Sequence, residues 1–189
     1  MNIANQLTVL RVFLTFGFIY LIHQSTCLQQ WAAAGIFAMA AITDFLDGYL
    51  ARKYNLISDF GKIADPIADK FLILSAFYVF YQFDLIAWWM IVVIFIREIG
   101  LTLLRFNAMK HKKVLAAESL GKYKTVAQIF TICIILLSGL LLSSSEGFCG
   151  PKAISGRWAL NIDILMYLTV ILTLVSGFSF LWNNRKELL

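Results

Sequence analysis

The sequence predicts an all-α, polytopic membrane protein, with six transmembrane helices and a short N-terminal juxtamembrane helix. Of its 189 residues 60% are hydrophobic and only 14% are charged, and mean hydropathy is +0.79. A soluble domain of this size cannot hide so much apolar surface. Six apolar segments approach the roughly 20 residues a helix needs to cross a bilayer. Lysine and arginine then gather in every second connection, as the positive-inside rule requires of a chain that crosses back and forth.

The first segment, Thr8–Ile22, is short, and the stretch before it, Asn2–Leu10, is expected to lie along the membrane surface and then turn in. The others are Trp31–Leu50, Ile63–Phe83, Leu85–Phe106, Thr125–Leu142 and Ala159–Trp182. Helix is the state that satisfies backbone polar groups within each span. With two prolines, no Pro/Gly/Ser-rich linker and no internal repeat, residues 1–189 read as a single membrane domain.

Arg52, Lys53 and Lys62 lie between spans two and three; Lys110, Lys112, Lys113, Lys122 and Lys124 lie between spans four and five, with Arg105 at the edge. Arg185 and Lys186 follow span six, whereas the alternate loops hold only Lys152 and Arg157. Both termini are therefore expected on the cytoplasmic side of a multi-pass inner-membrane protein. The run Lys110–Lys113 reads as a loop attracted to anionic headgroups. Net charge is +5, but its distribution points to membrane orientation and not to nucleic acid. Trp31, Trp88, Trp89, Trp158 and Trp182 fall near span ends, as an aromatic belt would place them. The first apolar run lacks a preceding basic region and reads as a retained span, not a cleaved signal. Cys27, Cys133 and Cys149 fit no zinc spacing; Cys27 and Cys149 fall in outer loops, which leaves a disulfide between them open.

Against this apolar background four acids form one pattern. Asp44, Asp47, Asp65 and Asp69, with Gly48, Ala51, Arg52 and Gly61, read D-x2-D-G-x2-A-R-x8-G-x3-D-x3-D. An aspartate at a helix centre costs about 2.5–3.5 kcal/mol on insertion scales. Spacings of three and four place each pair on one helical face, so two adjacent helices can present all four carboxylates together. Alone the carboxylates would repel; divalent cations reverse that. All-oxygen ligation favours Mg²⁺ or Mn²⁺, and two ions about 3.5–4 Å apart can clamp the attacking and leaving oxygens of a phosphoryl displacement. Gly48 and Ala51 lack bulk, Gly61 again permits close approach, and Arg52 offers a planar donor fork to phosphate. By contrast, Asp59 and Asp84 read as ordinary N-cap or solvated residues. A divalent-cation transporter is the rival use of four acids. Against it, the acids cluster at the cytoplasmic span ends and not at the midplane typical of transport sites.

The aspartate pattern matches, at every fixed position, the signature of the CDP-alcohol phosphotransferases. The chain also resembles the bacterial phosphatidylglycerophosphate synthases within that family. That likeness rests on Asn2-Ile3-Ala4-Asn5-Gln6-Leu7-Thr8-Val9-Leu10-Arg11, on Arg97-Glu98-Ile99 with Arg105, and on Gly121-Lys122-Tyr123-Lys124-Thr125 with Gln128. Where the family often has proline soon after the N-terminal arginine, this chain has Thr15 and Gly17, which puts the local bend of span one in question. The resemblance implies a six-span homodimer among membrane lipids. It implies transfer of the phosphatidyl group from CDP-diacylglycerol to sn-glycerol 3-phosphate, giving phosphatidylglycerol phosphate and CMP. Relatives using inositol phosphate, serine or phosphatidylglycerol as acceptor share the aspartate pattern. On this resemblance Asp44, Asp47, Asp65 and Asp69 are metal ligands, and Asp69 also accepts the proton of the attacking hydroxyl. Gly48, Ala51, Arg52 and Gly61 line the CDP site, and Asn5 and Thr8, with Arg11, approach the nucleotide. No Ser, His or Cys occupies a fixed motif position, which favours a single displacement without a covalent intermediate. Glycerol 3-phosphate carries about two negative charges near neutral pH. Arg97 and Arg105, eight residues apart and so on broadly one helical face, with Lys122 and Lys124, are the expected ligands of its phosphate.

Overall fold

The computed structural model describes residues 3–53, 59–111, 119–142, 151, 154 and 156–185; of residues 3–5, 45–53, 59–60, 62–63, 110, 119–120, 122 and 157 it describes the backbone only. These residues form six α-helices: α1 (Ile3–Ile22), α2 (Cys27–Lys53), α3 (Asp59–Gln82), α4 (Trp88–Lys110), α5 (Ser119–Leu141) and α6 (Arg157–Asn183). Each covers all or nearly all of an expected apolar segment; the largest shortfall is at α4, which begins at Trp88 and not at Leu85 because residues 83–87 form the turn from α3. Most run a few residues further into polar sequence, because the hydrogen-bond ladder does not stop where hydropathy falls.

One expectation is corrected at the N-terminus. No separate juxtamembrane helix precedes the first span: α1 is continuous from Ile3 to Ile22. Nothing in its sequence breaks it, since neither Thr15 nor Gly17 removes a backbone donor as proline would. Thr15 returns its hydroxyl to the Arg11 carbonyl at 2.8 Å within the helix.

The turn between α3 and α4 closes as a Schellman motif. Asp84 takes the left-handed conformation at φ 58°. The Leu85 N–H donates to the Phe80 carbonyl at 3.0 Å and the Asp84 N–H to the Tyr81 carbonyl at 2.9 Å. Asp84 thus ends a helix and does not cap the start of one. At the same end of the bundle a ring nitrogen of His23 lies 2.9 Å from Gln82 Oε1, joining the ends of α1 and α3. Cys27, at the start of α2, is disulfide-bonded and Cys133 is a free thiol; Cys149 lies outside the described residues.

α1 packs on α2 and α3, α5 and α4 each pack on α6, and α3 touches α4 and α5. The buried positions show why. α1 buries a single stripe, Thr8, Arg11, Thr15, Phe18 and Ile22, and α6 buries Ile162, Met166, Thr169, Thr173, Ser176 and Phe180. Both are three-and-four spacings that face one side only. In α3, Leu72, Ile73, Ala76, Phe77, Val79 and Phe80 are all buried, so it is the central helix.

Outward, the bundle is apolar. Phe13, Tyr20, Val126, Leu141 and Phe178 are exposed, as are all five tryptophans. Among the described residues two helical stretches, Tyr123–Leu141 and Trp158–Asn183, are long and apolar enough to cross a membrane, and Gln6–Ile22 is a shorter apolar helix.

The contrast between the two kinds of apolar residue is measurable. Phe77→Ala removes a ring at 0% exposure and is expected to destabilise the fold by about 3–5 kcal/mol. Phe13→Ala, at 69% exposure, is expected to change it little. Thermal unfolding in detergent micelles reads both; equal losses would contradict this core.

Candidate functional site

The site begins at α1. Thr8 and Arg11 are three residues apart and share its buried stripe. The Thr8 hydroxyl donates to Asp65 Oδ1 of α3 at 2.5 Å. Arg11 Nη1 lies 2.9 Å from Asp44 Oδ1 of α2. One face of α1 therefore draws together carboxylates from two other helices. Arg11 is fully buried while Asp44 keeps 38% of its side chain exposed, so the pair runs from the interior of the bundle to its surface. Asp69, one turn beyond Asp65 and partly buried, has Lys70, Lys124, Arg11 and Glu98 as its charged neighbours.

Three of the four motif aspartates thus converge on one region. Asp47, Gly48, Ala51 and Arg52 fall on the last turns of α2, but their side chains lie outside the described residues, as do those of Asn5 and Lys122. Gly61 is buried in the first turns of α3. Among the described residues no three His, Cys, Asp or Glu side chains stand close enough to hold a metal ion. The chemistry of the donor set nevertheless suits a hard cation, because Asp44, Asp65 and Asp69 offer oxygen alone.

A second polar centre lies beside the first, among α4, α5 and α6. Glu98 is buried, and its Oε1 is paired with Lys124 Nζ. Arg97 Nη1 reaches the same oxygen at 3.2 Å, and Arg97 Nη2 donates to Ser176 Oγ at 2.9 Å. Gln128 Nε2 bridges at 3.4 Å to Glu98 and 3.5 Å to Thr173 Oγ1. Thr131 and Thr169 exchange a hydroxyl hydrogen bond at 2.8 Å below them. Arg97 runs along α6 where the chain has glycine: a Cβ on Gly177 would lie 3.2 Å from Arg97 Cγ. Arg105 stacks over the Phe180 ring, 4.8 Å from its centroid, with its side chain exposed.

Both α4 arginines therefore face α6, which agrees with their eight-residue spacing. Arg97 and Lys124, expected as phosphate ligands, converge on Glu98. The α6 partners Thr173, Ser176, Gly177 and Phe180 were not singled out by sequence. A signal for them exists: small or hydroxylic residues recur at Thr169, Thr173 and Ser176 along one stripe of an otherwise apolar helix.

A family model described as CDP-alcohol phosphatidyltransferase matches residues 1–177. The chain is 34% identical over 199 residues to a CDP-diacylglycerol–glycerol-3-phosphate 3-phosphatidyltransferase of Bacillus subtilis, covering 99% of this chain and 97% of that relative. It is 33% identical over 181 residues to the protein of the same name in Rickettsia typhi, covering 95% and 94%. A Mycoplasma genitalium protein of that name is 38% identical over 153 residues, covering 69% and 63%.

The clasp of α1 on the aspartates gives a direct test. Arg11→Met removes this cation from Asp44 and is expected to cost about 1.5–3 kcal/mol of stability, the range for hydrogen bonds to charged groups. Arg11→Lys, which keeps charge but loses the planar fork, is expected to lie between. An unchanged unfolding temperature for Arg11→Met would mean that Asp44 does not depend on this arginine.

Proposed function

The chain belongs to the CDP-alcohol phosphatidyltransferase family, and from that premise we propose that it transfers the phosphatidyl group of CDP-diacylglycerol to sn-glycerol 3-phosphate. The products are phosphatidylglycerol phosphate and CMP, and the reaction belongs to phospholipid biosynthesis. The observation that carries this reading is the contiguity of two centres of opposite character: Asp69 has both Arg11 of the aspartate clasp and Lys124 of the cationic cluster as charged neighbours. A nucleotide-linked phosphate and a phosphorylated alcohol need such a junction. The match in name and near full length to the Bacillus relative supports glycerol 3-phosphate as the acceptor.

Asp44, Asp47, Asp65 and Asp69 would hold two Mg²⁺ or Mn²⁺ ions. When bound, such ions neutralise charge developing on the pyrophosphate and the departing CMP. The chain's own residues do the rest. Thr8 and Arg11 orient Asp65 and Asp44 from behind. Asp69 accepts the proton of the glycerol hydroxyl, which attacks the lipid-side phosphorus as the bond to CMP breaks. Gly48, Ala51, Arg52 and Gly61, with Asn5 and Thr8, bound the CDP half of the site. Arg97, Arg105, Lys122 and Lys124 provide the positive field for the acceptor phosphate.

The same reading places all six helices across the inner membrane, with both termini and the site facing the cytoplasm, and the chain as a homodimer among membrane lipids. The apolar exterior supports it, and a site at the cytoplasmic ends of α2 and α3 matches a substrate with an acyl tail and a water-soluble head.

Release of CMP by the purified protein is the decisive assay. Turnover is expected to vanish on chelation and return with Mg²⁺ or Mn²⁺; activity that survives exhaustive chelation would sink the ion-dependent reading. Asp69→Asn is expected to cut kcat by about 10²–10⁴-fold, the usual worth of a general base, with folding intact; near-normal turnover would remove that role. Arg105→Ala is expected to raise KM for glycerol 3-phosphate by about tenfold while leaving that for the lipid unchanged, as loss of a charge-assisted contact to one substrate predicts. Equal effects on both would take Arg105 out of the acceptor pocket.

A further inference from the structure

Among the described residues Glu98 is the acid that the bundle buries most fully, at 4% exposure. The aspartate chemistry makes no use of it. An unpaired carboxylate in such a place is strongly disfavoured. Here Lys124 of α5, Arg97 of α4 and Gln128 of α5 all point at one of its oxygens. Ser176 of α6 holds the far end of the Arg97 guanidinium at 2.9 Å.

We propose that Glu98 is a positioning residue for the acceptor half of the site, holding Arg97 and Lys124 side by side to receive the phosphate of the acceptor alcohol. The proposal rests on the transferase reading above. Two cations brought together in an apolar bundle repel each other before any anion arrives, and each would otherwise swing toward a different partner. A carboxylate between them removes that repulsion and fixes both directions in advance, so that ordering is not left to the binding step. The charges also fit. Arg97 and Lys124 less Glu98 leave one net positive charge, to which Arg105, seated on Phe180 along the same helix pair, and Lys122 add. A phosphate monoester near neutral pH carries about two negative charges. Glu98 and Lys124 are also charged neighbours of Asp69, so the cluster and the proposed base share one electrostatic environment. Arg97 packs against Gly177, where a Cβ would press on it, so α6 bounds its path closely on that side.

If the triad were only a bolt between helices, its loss would lower stability and disturb both substrates alike. A positioning role separates them. The test uses the full-length protein in detergent micelles, with CMP release measured against glycerol 3-phosphate and then against CDP-diacylglycerol. Glu98→Gln keeps shape and a carbonyl acceptor but removes the charge. It is expected to raise KM for glycerol 3-phosphate by about tenfold or more, with KM for the lipid held within about twofold. Glu98→Asp is expected to recover part of the loss. Ser176→Ala frees only the outer end of Arg97 and is expected to raise the same KM by about threefold, the worth of one modest hydrogen bond. The proposal is overturned if Glu98→Gln shifts both KM values together or leaves that for glycerol 3-phosphate unchanged. Should Glu98→Gln fail to fold, Ser176→Ala decides, and an unchanged KM there overturns it. A wild-type protein that releases no CMP with glycerol 3-phosphate would instead overturn the transferase reading, a separate outcome.

Discussion

A charge inside an apolar bundle must have a partner, and that constraint organises this structure. Water is excluded, the local dielectric is low, and an unpaired ion is costly enough to exclude the conformation that leaves it so. The chain answers twice. Arg11 meets Asp44 while Thr8 meets Asp65, and Glu98 gathers Arg97 and Lys124. Hydroxyls that have no ionic partner return to their own helix, as Thr15, Thr102, Thr169 and Thr173 do. Each arrangement also fixes the relation of one helix to another, so satisfying the polar groups and specifying the packing are the same event.

The two centres divide the bundle. α1, α2 and α3 build the acidic half; α4, α5 and α6 build the basic half. α3 joins them, because it is buried on more than one side and carries Asp69 at the junction. The terminal helices look dispensable for chemistry, since neither holds the aspartate motif, yet each supplies the backing for one half. α1 orients carboxylates through a threonine and an arginine one turn apart. α6 orients arginines through a serine, a glycine that leaves room and a phenylalanine ring. Catalysis by positioning asks for such rigid backing, because a small displacement of a charged group costs much of its effect.

The acidic half was legible in part: Asp44, Asp65 and Asp69 share one region, while the side chain of Asp47 lies outside the described residues and the pairing of Arg11 and Thr8 with two of these acids is not written in the spacing. The spacing of Asp44, Asp47, Asp65 and Asp69 sets each pair on one face, and only a bound cation or a cationic side chain makes such a quartet tolerable in apolar sequence. The basic half was legible in part. Arg97, Arg105 and Lys124 stand out as charges in or at the ends of spans, but Glu98 reads equally as orienting Arg97 or as balancing its charge when only its neighbour in sequence is known. The surface helix expected before the first span was misjudged because its composition is mixed, and composition does not reveal that nothing interrupts the helix from Ile3 to Ile22.

The six helices and the apolar exterior follow from the order of residues alone. Helix formation is local, with each backbone group satisfied four residues away, and hydropathy reports directly on where water is absent. Which polar groups meet was settled by the packing of the helices. Thr8 finds Asp65 across 57 residues and Arg97 finds Ser176 across 79. Such pairs arise from how helices are stacked and rotated, and no local periodicity encodes that rotation; it is set when every buried polar group must meet its complement at once.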